Sequence, residues 1–138
     1  MADIILKGHK IWGGCTEGEA LVSKSAFGFY PGLDPKTGIV TEKGHELEGQ
    51  KLTGRILVYP RGKGSTTGAY ILYAAAREGT GPKAIINVEA DGVVAVGAVI
   101  SNIPLIDKLD QNPIEVISNG DKVSIDADNG IVKITKKP

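Results

Sequence analysis

Short apolar runs alternate with glycine- and proline-rich breaks along this chain, a pattern more typical of strands than of helices. A turn at 14–18 would join the first two strands as a hairpin, and the dipeptides Asn119-Gly120 and Asn129-Gly130 predict hairpin turns near the C-terminus. We expect strands at residues 4–12, 18–23, 55–59, 83–88, 114–117, 122–126 and 131–135.

One clear helix is predicted between the third and fourth of these strands. Its apolar positions recur at helical spacing and its end carries helix stop signals: Ala69, Leu72, Tyr73 and Ala76, then Gly79 and Pro82. The apolar run 91–97 reads as a strand or a strand leading into a helix, and short helical pieces are expected at 45–49 and 98–102. Hairpins combined with a strand–helix–strand unit predict an α+β fold, or layered β/β/α.

The composition of the chain disfavours several classes of function. The 138 residues, treated as one domain spanning 1–138, carry 16 basic and 16 acidic side chains, and only seven are aromatic. This balance favours neither nucleic-acid nor membrane binding. The single cysteine, Cys15, excludes an internal disulfide and an all-cysteine metal site within this chain. No long apolar run precedes the first strand, so we expect a cytoplasmic protein.

The stretch Val58–Tyr70, V-Y-P-R-G-K-G-S-T-T-G-A-Y, joins a strand to the predicted helix through a glycine-rich loop. Backbone N–H groups at a helix N-terminus attract anions. Arg61 can grip a carboxylate or phosphate bidentately, and Lys63 adds a point charge. The Walker A spacing is absent, so the loop predicts a small-anion site rather than a nucleotide P-loop.

Ser65 in this loop has two interpretations. Ser65 or Thr66 can be the helix N-cap, the commonest role for a hydroxyl residue there. Alternatively, the hydroxyl of Ser65 faces the anion site as a nucleophile or base, with its alkoxide stabilised by the helix dipole and by Arg61 or Lys63. The candidate substrate-binding set is completed by Gly62, Gly64, Thr66 and Thr67.

Other candidates are weaker. His9 lies in the first strand and His45 in a turn, outside metal-ligand spacing, and His45 is the better functional candidate because it follows the long loop 24–43. Cys15 fits a small buried or turn residue, and a reactive thiol is the alternative. Asp34 in Asp34-Pro35 has the pattern of a turn acid. The two histidines give no positive case for a catalytic triad.

Five motifs occur in an order that resembles the swivel domain of the aconitase X family. The resemblance spans roughly residues 8–107. Lys63 and Thr66 stand where the family often has Arg and Ser, and Glu46 stands where Pro is frequent. The motifs are G-E-A-L-V-S (18–23), G-x-D-P-x-T-G (32–38), H-x-L-x-G (45–49), I-L-V-x-P-R-G-x-G-S-x-T (56–67) and A-D-x-x-x-x-x-G-A (90–98).

The resemblance implies a swivelling β/β/α domain, with layered or barrel-like sheets, that serves as the small part of a heteromeric hydro-lyase. Its large subunit would carry a [4Fe-4S] cluster whose iron acts as Lewis acid, while this chain alone binds no cofactor or metal. The implied reaction dehydrates (R)-5-phosphomevalonate to trans-anhydromevalonate 5-phosphate in archaeal isoprenoid synthesis. By position, the family's proton-accepting serine is Ser65. Loops 24–43 and 60–67 are the expected partner contacts.

Two alternatives stay open at this point. Relatives within the family dehydrate hydroxyproline, although those commonly fuse both parts into one chain. The run from Gly64 to Ile85 and the C-terminal part also resemble a phosphohistidine carrier domain, but Thr67 or Gly68 stands where that carrier needs its histidine. The carrier resemblance therefore indicates a shared fold rather than shared chemistry. A third possibility is an anion-binding or structural module with no chemistry of its own.

Overall fold

A computed structural model of the chain describes residues 3–63 and 66–138. Within these ranges none of the helices is long and apolar enough to cross a membrane. The strands are β1 (Ile4–Lys7), β2 (His9–Trp12), β3 (Cys15–Val22), β4 (Leu33–Asp34), β5 (Ile39–Val40), β6 (Ile56–Tyr59), β7 (Ala84–Asn87), β8 (Leu105–Asp107), β9 (Lys122–Asp126) and β10 (Ile131–Thr135). The helices are α1 (Phe29–Gly32), α2 (Thr67–Glu78), α3 (Gly92–Ser101) and α4 (Pro113–Val116), with a 3₁₀ turn at Ala127–Asn129.

Eight strands form one mixed sheet in the order β1-β10-β9-β3-β6-β7-β8-β2. The pairs β3–β6, β6–β7 and β7–β8 are parallel, and the remaining pairs of this sheet are antiparallel. Two points let the sheet fold back on itself. The long strand β3 pairs with β9 through Cys15–Glu19 and with β6 through Ala20–Val22, and only Gly8 separates β1 from β2 at the two ends of the order.

Side-chain alternation along the parallel strands divides the interior into two cores. Leu57 and Ile85 face α2 and α3, whereas Ile56 and Ile86 face the layer of β1, β9 and β10. The result is three layers, β/β/α, with the parallel strands in the middle. The β6–α2–β7 and β7–α3–β8 connections place both long helices on one side of the parallel strands. The predicted α+β swivel-domain architecture is confirmed.

Helix α2 contains the predicted run 69–78, begins slightly earlier at Thr67 and ends where Gly79 takes a left-handed conformation, φ 78°. Ala69 and Leu72 are buried as expected, Tyr73 and Ala76 are only partly buried, and Ala75 is buried instead. Residues 91–102 contain one helix, α3, rather than a strand followed by a short helix. A helix that is apolar around its whole circumference has no amphipathic period, so its pattern does not distinguish it from a buried strand.

Other local expectations were wrong. The predicted hairpin turn at 14–18 is absent from the described chain, because β3 already begins at Cys15 and pairs with β9 and β6, not with β2. Residues 114–116 belong to helix α4 instead of a strand, since the Asn112 side chain accepts the N–H of Ile114 at 3.0 Å and Pro113 occupies the first turn. Segment 45–49 forms turns rather than a helical turn, and strand β8 was not expected.

Candidate active site

The loop after β6 is held on both sides by backbone hydrogen bonds at the carboxyl end of the parallel strands. The carbonyl of Pro60 accepts the N–H groups of Val88 and Glu89, at 3.0 and 3.2 Å. On the other side Phe27 donates its N–H to Arg61 and accepts that of Lys63, at 3.1 and 3.2 Å. The loop therefore continues β6 as a strand-like segment between two neighbouring connections, in the position where parallel sheets commonly bind ligands.

Two glycines permit this close packing. A Cβ on Gly28 would lie 2.3 Å from the carbonyl oxygen of Lys63, and one on Gly62 would lie 2.7 Å from Asp91 Oδ2 and from Val94 Cγ2. Asp91 caps α3 by accepting the N–H of Val94 at 2.9 Å. The loop is thus pressed directly against the N-terminus of α3.

The two loop cations differ in their surroundings. Arg61 is exposed and makes no salt bridge within residues 3–63 and 66–138. Lys63 Nζ lies 2.8 Å from Glu42 Oε2, with half of the Lys63 side chain exposed. Glu42 belongs to the long 24–43 segment, so the structure joins the two segments that the sequence singles out. The sequence analysis missed Glu42, and only the contact across 21 residues reveals it.

Ser65 and Gly64 lie outside the described residues, so the roles predicted for them stay predictions. On the far side of this gap Thr66 and Thr67 are both exposed, and α2 begins at Thr67. Thr66 has helical backbone angles (φ −52°, ψ −29°) and makes no side-chain cap hydrogen bond within the described chain. The Thr66 side chain therefore does not occupy the N–H groups of Thr67 and Gly68, which an anion could contact, whereas the N–H of Ala69 donates to the carbonyl of Thr66 at 3.0 Å.

An aromatic cluster supports the loop from below. Phe27 packs edge-on against Phe29, His45 and Tyr59, with ring centroids 5.2, 5.4 and 6.0 Å apart. His45 is buried, and its two ring nitrogens contact the backbone: Nε2 lies 3.0 Å from the carbonyl of Ala26, and Nδ1 lies 3.0 Å from the N–H of Leu47. His45 therefore supports the loop and has no ring nitrogen free for a substrate.

Comparison with known proteins decides the family. The model of the aconitase X swivel domain matches residues 5–134. The chain belongs to this family. The small subunit of phosphomevalonate dehydratase from Methanocella arvoryzae is 50% identical to it over 130 residues, which cover 94% of this chain and 98% of that one. The corresponding subunit from Pyrococcus furiosus is 50% identical over 129 residues, 94% of each chain.

A solved structure agrees with the family assignment. The crystal structure of Thermococcus kodakaraensis aconitase X in its holo-form contains a chain 48% identical to this swivel domain, with a TM-score of 0.91. The match covers 96% of this chain and 99% of the other. Because the two chains are 48% identical over almost their whole length, their similarity supports membership of one family and not only a common fold.

Two buried polar groups lie under the loop of this swivel domain without partners in the described chain. They are the hydroxyl of Tyr59 and the side-chain oxygen of Asn87, at the carboxyl ends of β6 and β7. The Asn87 amide nitrogen donates to the backbone carbonyl of Tyr59 at 3.1 Å. Burial raises the pKa of Tyr59, so its hydroxyl stays protonated near neutral pH.

The remaining sequence candidates lie in local networks. Asp34 accepts the N–H of Lys36 at 3.0 Å and the hydroxyl of Thr37 at 3.1 Å, which confirms the turn acid. His9 is more than half exposed and contacts the buried carboxylate of Asp107 at 3.0 Å.

Cys15 was expected to be buried or in a turn, but it is exposed at the start of β3. Its Sγ lies 3.4 Å from Asp126 Oδ1, and that hydrogen bond raises the pKa of the thiol. A raised pKa disfavours the thiolate that metal binding or nucleophilic attack needs. A single cysteine in this setting does not fit an iron–sulfur cluster, which takes four such ligands.

Proposed function

We propose that this chain is the small subunit of a phosphomevalonate dehydratase, a hydro-lyase that is active only as a heterodimer with a large subunit. The observation that carries the proposal is the 50% identity to a small subunit of that name over 94% of this chain and 98% of the relative. The reaction removes water from (R)-5-phosphomevalonate and leaves trans-anhydromevalonate 5-phosphate, a step of the archaeal mevalonate pathway. A cytoplasmic location follows from such a role.

In this proposal Ser65 is the proton acceptor. Its Oγ, as the alkoxide, takes a proton from the carbon next to the carbinol carbon of the substrate. The electron pair of that C–H bond forms the double bond, and the hydroxyl leaves, so that the net loss is one water. Two features of the described flanks favour the alkoxide: the positive end of the 12-residue helix α2 and the cations Arg61 and Lys63.

The substrate's anionic groups would bind to the same loop. Arg61, exposed and without a salt bridge in the described chain, suits a bidentate contact with phosphate or carboxylate. Lys63 would contribute its charge after leaving Glu42, and backbone N–H groups of Gly62 and Gly64 with the hydroxyls of Thr66 and Thr67 would complete the cradle. We place the Lewis acid, the [4Fe-4S] cluster implied by the family, in the large subunit, since the single cysteine here does not fit it.

The test is the turnover of the reconstituted complex. The swivel domain is co-purified with the large subunit of its own organism, and dehydration of 5-phosphomevalonate is followed for the native and Ser65→Ala complexes. We expect kcat to fall about 10²- to 10⁴-fold with Ser65→Ala, the usual contribution of a general base. Ser124→Ala, on β9 away from the loop, is the matched control and should keep the native rate.

Three outcomes would contradict the proposal. If a well-folded Ser65→Ala complex turned over at the native rate, Ser65 would serve only as a helix cap. Dehydration by the isolated chain would contradict the division of the site between two subunits. Preferential turnover of a hydroxyproline over 5-phosphomevalonate by the native complex would keep the lyase chemistry and change the substrate.

A further inference from the structure

Helix α3 has no charged residue anywhere along G-V-V-A-V-G-A-V-I-S. Its inner face is buried through Val94, Gly97 and Ala98, as the core requires. Its outer face is equally apolar but lies open, with Val96 54% exposed. A helix that is apolar all round is normally buried all round, so this outer face is incomplete in the isolated chain.

The exposed apolar surface continues beyond α3. We define the apolar patch as the exposed large apolar side chains on α3, on α2 and on α1. The two long helices touch where a Cβ on Gly97 would lie 3.3 Å from Ala69 Cα, so Val96 and Tyr70, the sequence neighbours of these contact residues, lie beside that contact. The patch consists of Tyr30, Tyr70, Val96, Val99 and Ile100.

The elements that carry the patch approach the candidate active-site loop at two places. A Cβ on Gly68, in the first turn of α2, would lie 3.6 Å from the backbone nitrogen of Tyr30. Gly62 lies against Asp91 and Val94, at the N-terminus of α3. The N-terminal ends of α2 and α3 therefore lie beside the loop, and the apolar patch lies along these helices.

We propose that the large subunit docks on the apolar patch, so that its own part of the active site is brought over the loop at 60–67. This inference rests on the proposed function, because a site divided between two subunits requires the large subunit to cover the loop. An uncharged surface on helices that begin beside the loop is then the natural interface core, since such cores are depleted in charged residues.

A second copy of this chain is the rival occupant of the patch. A symmetric dimer formed through α3 would cover the apolar patch and hinder the large subunit from reaching it. The two occupants therefore exclude one another, and only the large subunit gives a complete site. Dimerisation through the patch is accordingly an outcome of the test rather than part of the proposal.

The test measures the affinity of the swivel domain for its large subunit by surface plasmon resonance or calorimetry. Val96→Asp introduces a buried charge into the proposed interface and should weaken binding about 10-fold or more. Tyr70→Ser, on the other helix, removes an exposed aromatic side chain and should weaken binding in the same direction. Ile5→Asp, on an equally exposed isoleucine of β1, is the control and should stay within about 3-fold of the native affinity.

Circular dichroism and thermal melting establish that each variant folds. Because the two patch variants lie on different helices, Tyr70→Ser still gives a result if the charge in α3 prevents folding. Native affinity in folded patch variants would overturn the inference, as would a change in self-association with unchanged affinity for the large subunit. Failure of the proposed function gives a different result: the native complex forms with normal affinity but does not dehydrate 5-phosphomevalonate.

Discussion

The loop side of the molecule and the layer of β1, β9 and β10 both contain a lysine–carboxylate pair, but the two pairs are built differently. In the strand layer Lys136 contacts Asp121, whose side chain is completely buried and also accepts the backbone N–H groups of Ser118 and Lys137. On the loop side Lys63 contacts Glu42 with half of the lysine exposed. The carboxylate of the first pair is fully buried although Lys136 is 31% exposed, whereas both members of the second pair are partly exposed, so the second pair can separate without disturbing the core.

The cores beneath the two pairs differ in the same way. The core between the strand layers is aliphatic, with residues such as Val132 and Ile134. The core below the loop contains Phe27, Phe29 and Tyr59, and two of its polar atoms lack partners in the described chain. Unsatisfied buried groups cost stability, and natural proteins keep them mainly where function requires them. The two cores therefore differ in composition: the core between the strand layers is aliphatic, whereas the region below the loop combines aromatic side chains with unpartnered polar atoms.

Of the substitutions that distinguish the two regions, Gly28→Ala should have the largest effect, which is a loss of kcat. The backbone of Gly28, φ −117° and ψ 126°, accepts any residue, so only the 2.3 Å contact between the new Cβ and the Lys63 carbonyl displaces the loop. A displacement near 1 Å can cost about 100-fold in rate, and we expect a loss of kcat of that order in the reconstituted complex. Steady-state kinetics with 5-phosphomevalonate measures it.

Two controls accompany Gly28→Ala. Gly92→Ala meets no atom within 4 Å and should leave kcat unchanged. Val132→Ala, in the aliphatic core, should lower the free energy of unfolding by about 2 kcal/mol and leave kcat unchanged at temperatures where the protein is folded. Equal losses of kcat from Val132→Ala and Gly28→Ala would remove the distinction between the two regions.

An intermediate effect is expected for Asp121→Asn, on stability and its pH dependence. Burial raises the pKa of Asp121, but the hydrogen bonds from Lys136, Ser118 and Lys137 outweigh burial and hold that pKa below its usual 3.8. A depressed folded pKa stabilises the protein above pH 3.8, and this contribution is lost as pH falls through the folded value. We expect Asp121→Asn to cost about 1–3 kcal/mol at pH 7, measured by denaturant unfolding.

The difference between native protein and Asp121→Asn should shrink as the pH falls below 3.8. Glu17→Gln, in the exposed pair with Lys122, is the control and should change stability little at either pH. A pH-independent difference would mean that Asp121 contributes by packing and not by its charge.

The sequence predicts the helices and strands whose positions are determined by residues close together in the chain. Helix α2 has an amphipathic face and a glycine stop, and β6, β9 and β10 lie close to their predicted positions. The split of residues 4–12 into β1 and β2 has a tertiary cause instead. At Gly8 the chain passes from a partner in β10 to one in β8, and a Cβ there would lie 2.7 Å from the carbonyl of Asp107. No local pattern contains that contact.

The candidate site likewise contains residues that local sequence predicts and residues that it does not. Arg61, Lys63 and the approach of a helix N-terminus were predictable because strand, glycine-rich loop and helix follow one another in the chain. Glu42 and Gly28 were not, because they reach the loop from a segment more than 20 residues away. The segments 24–43 and 60–67, which the sequence analysis named only as expected partner contacts, are joined to each other by the backbone hydrogen bonds of Phe27.

The smallest effect, and the sharpest test of the difference between the two lysine pairs, is expected for Glu42→Gln. The pair is partly exposed, so its loss should change the free energy of unfolding by less than about 1 kcal/mol. In the proposed substrate site the Glu42 carboxylate would compete with the substrate's phosphate for Lys63. Removing that charge should lower KM for 5-phosphomevalonate about 3-fold, the size of one Coulomb interaction across a few ångströms of water, with little change in kcat.

Two controls accompany this expectation: the salt dependence of KM and a matched variant. The KM difference between native and Glu42→Gln complexes should shrink as salt is added, because salt screens exposed charges. Glu17→Gln, on the part of β3 that pairs with β9, removes the same charge elsewhere and should leave KM unchanged. A higher KM in Glu42→Gln would show that Glu42 positions Lys63 for the substrate. A stability loss as large as that of Asp121→Asn would show that both lysine pairs are structural, and the two regions would then differ only in their cores.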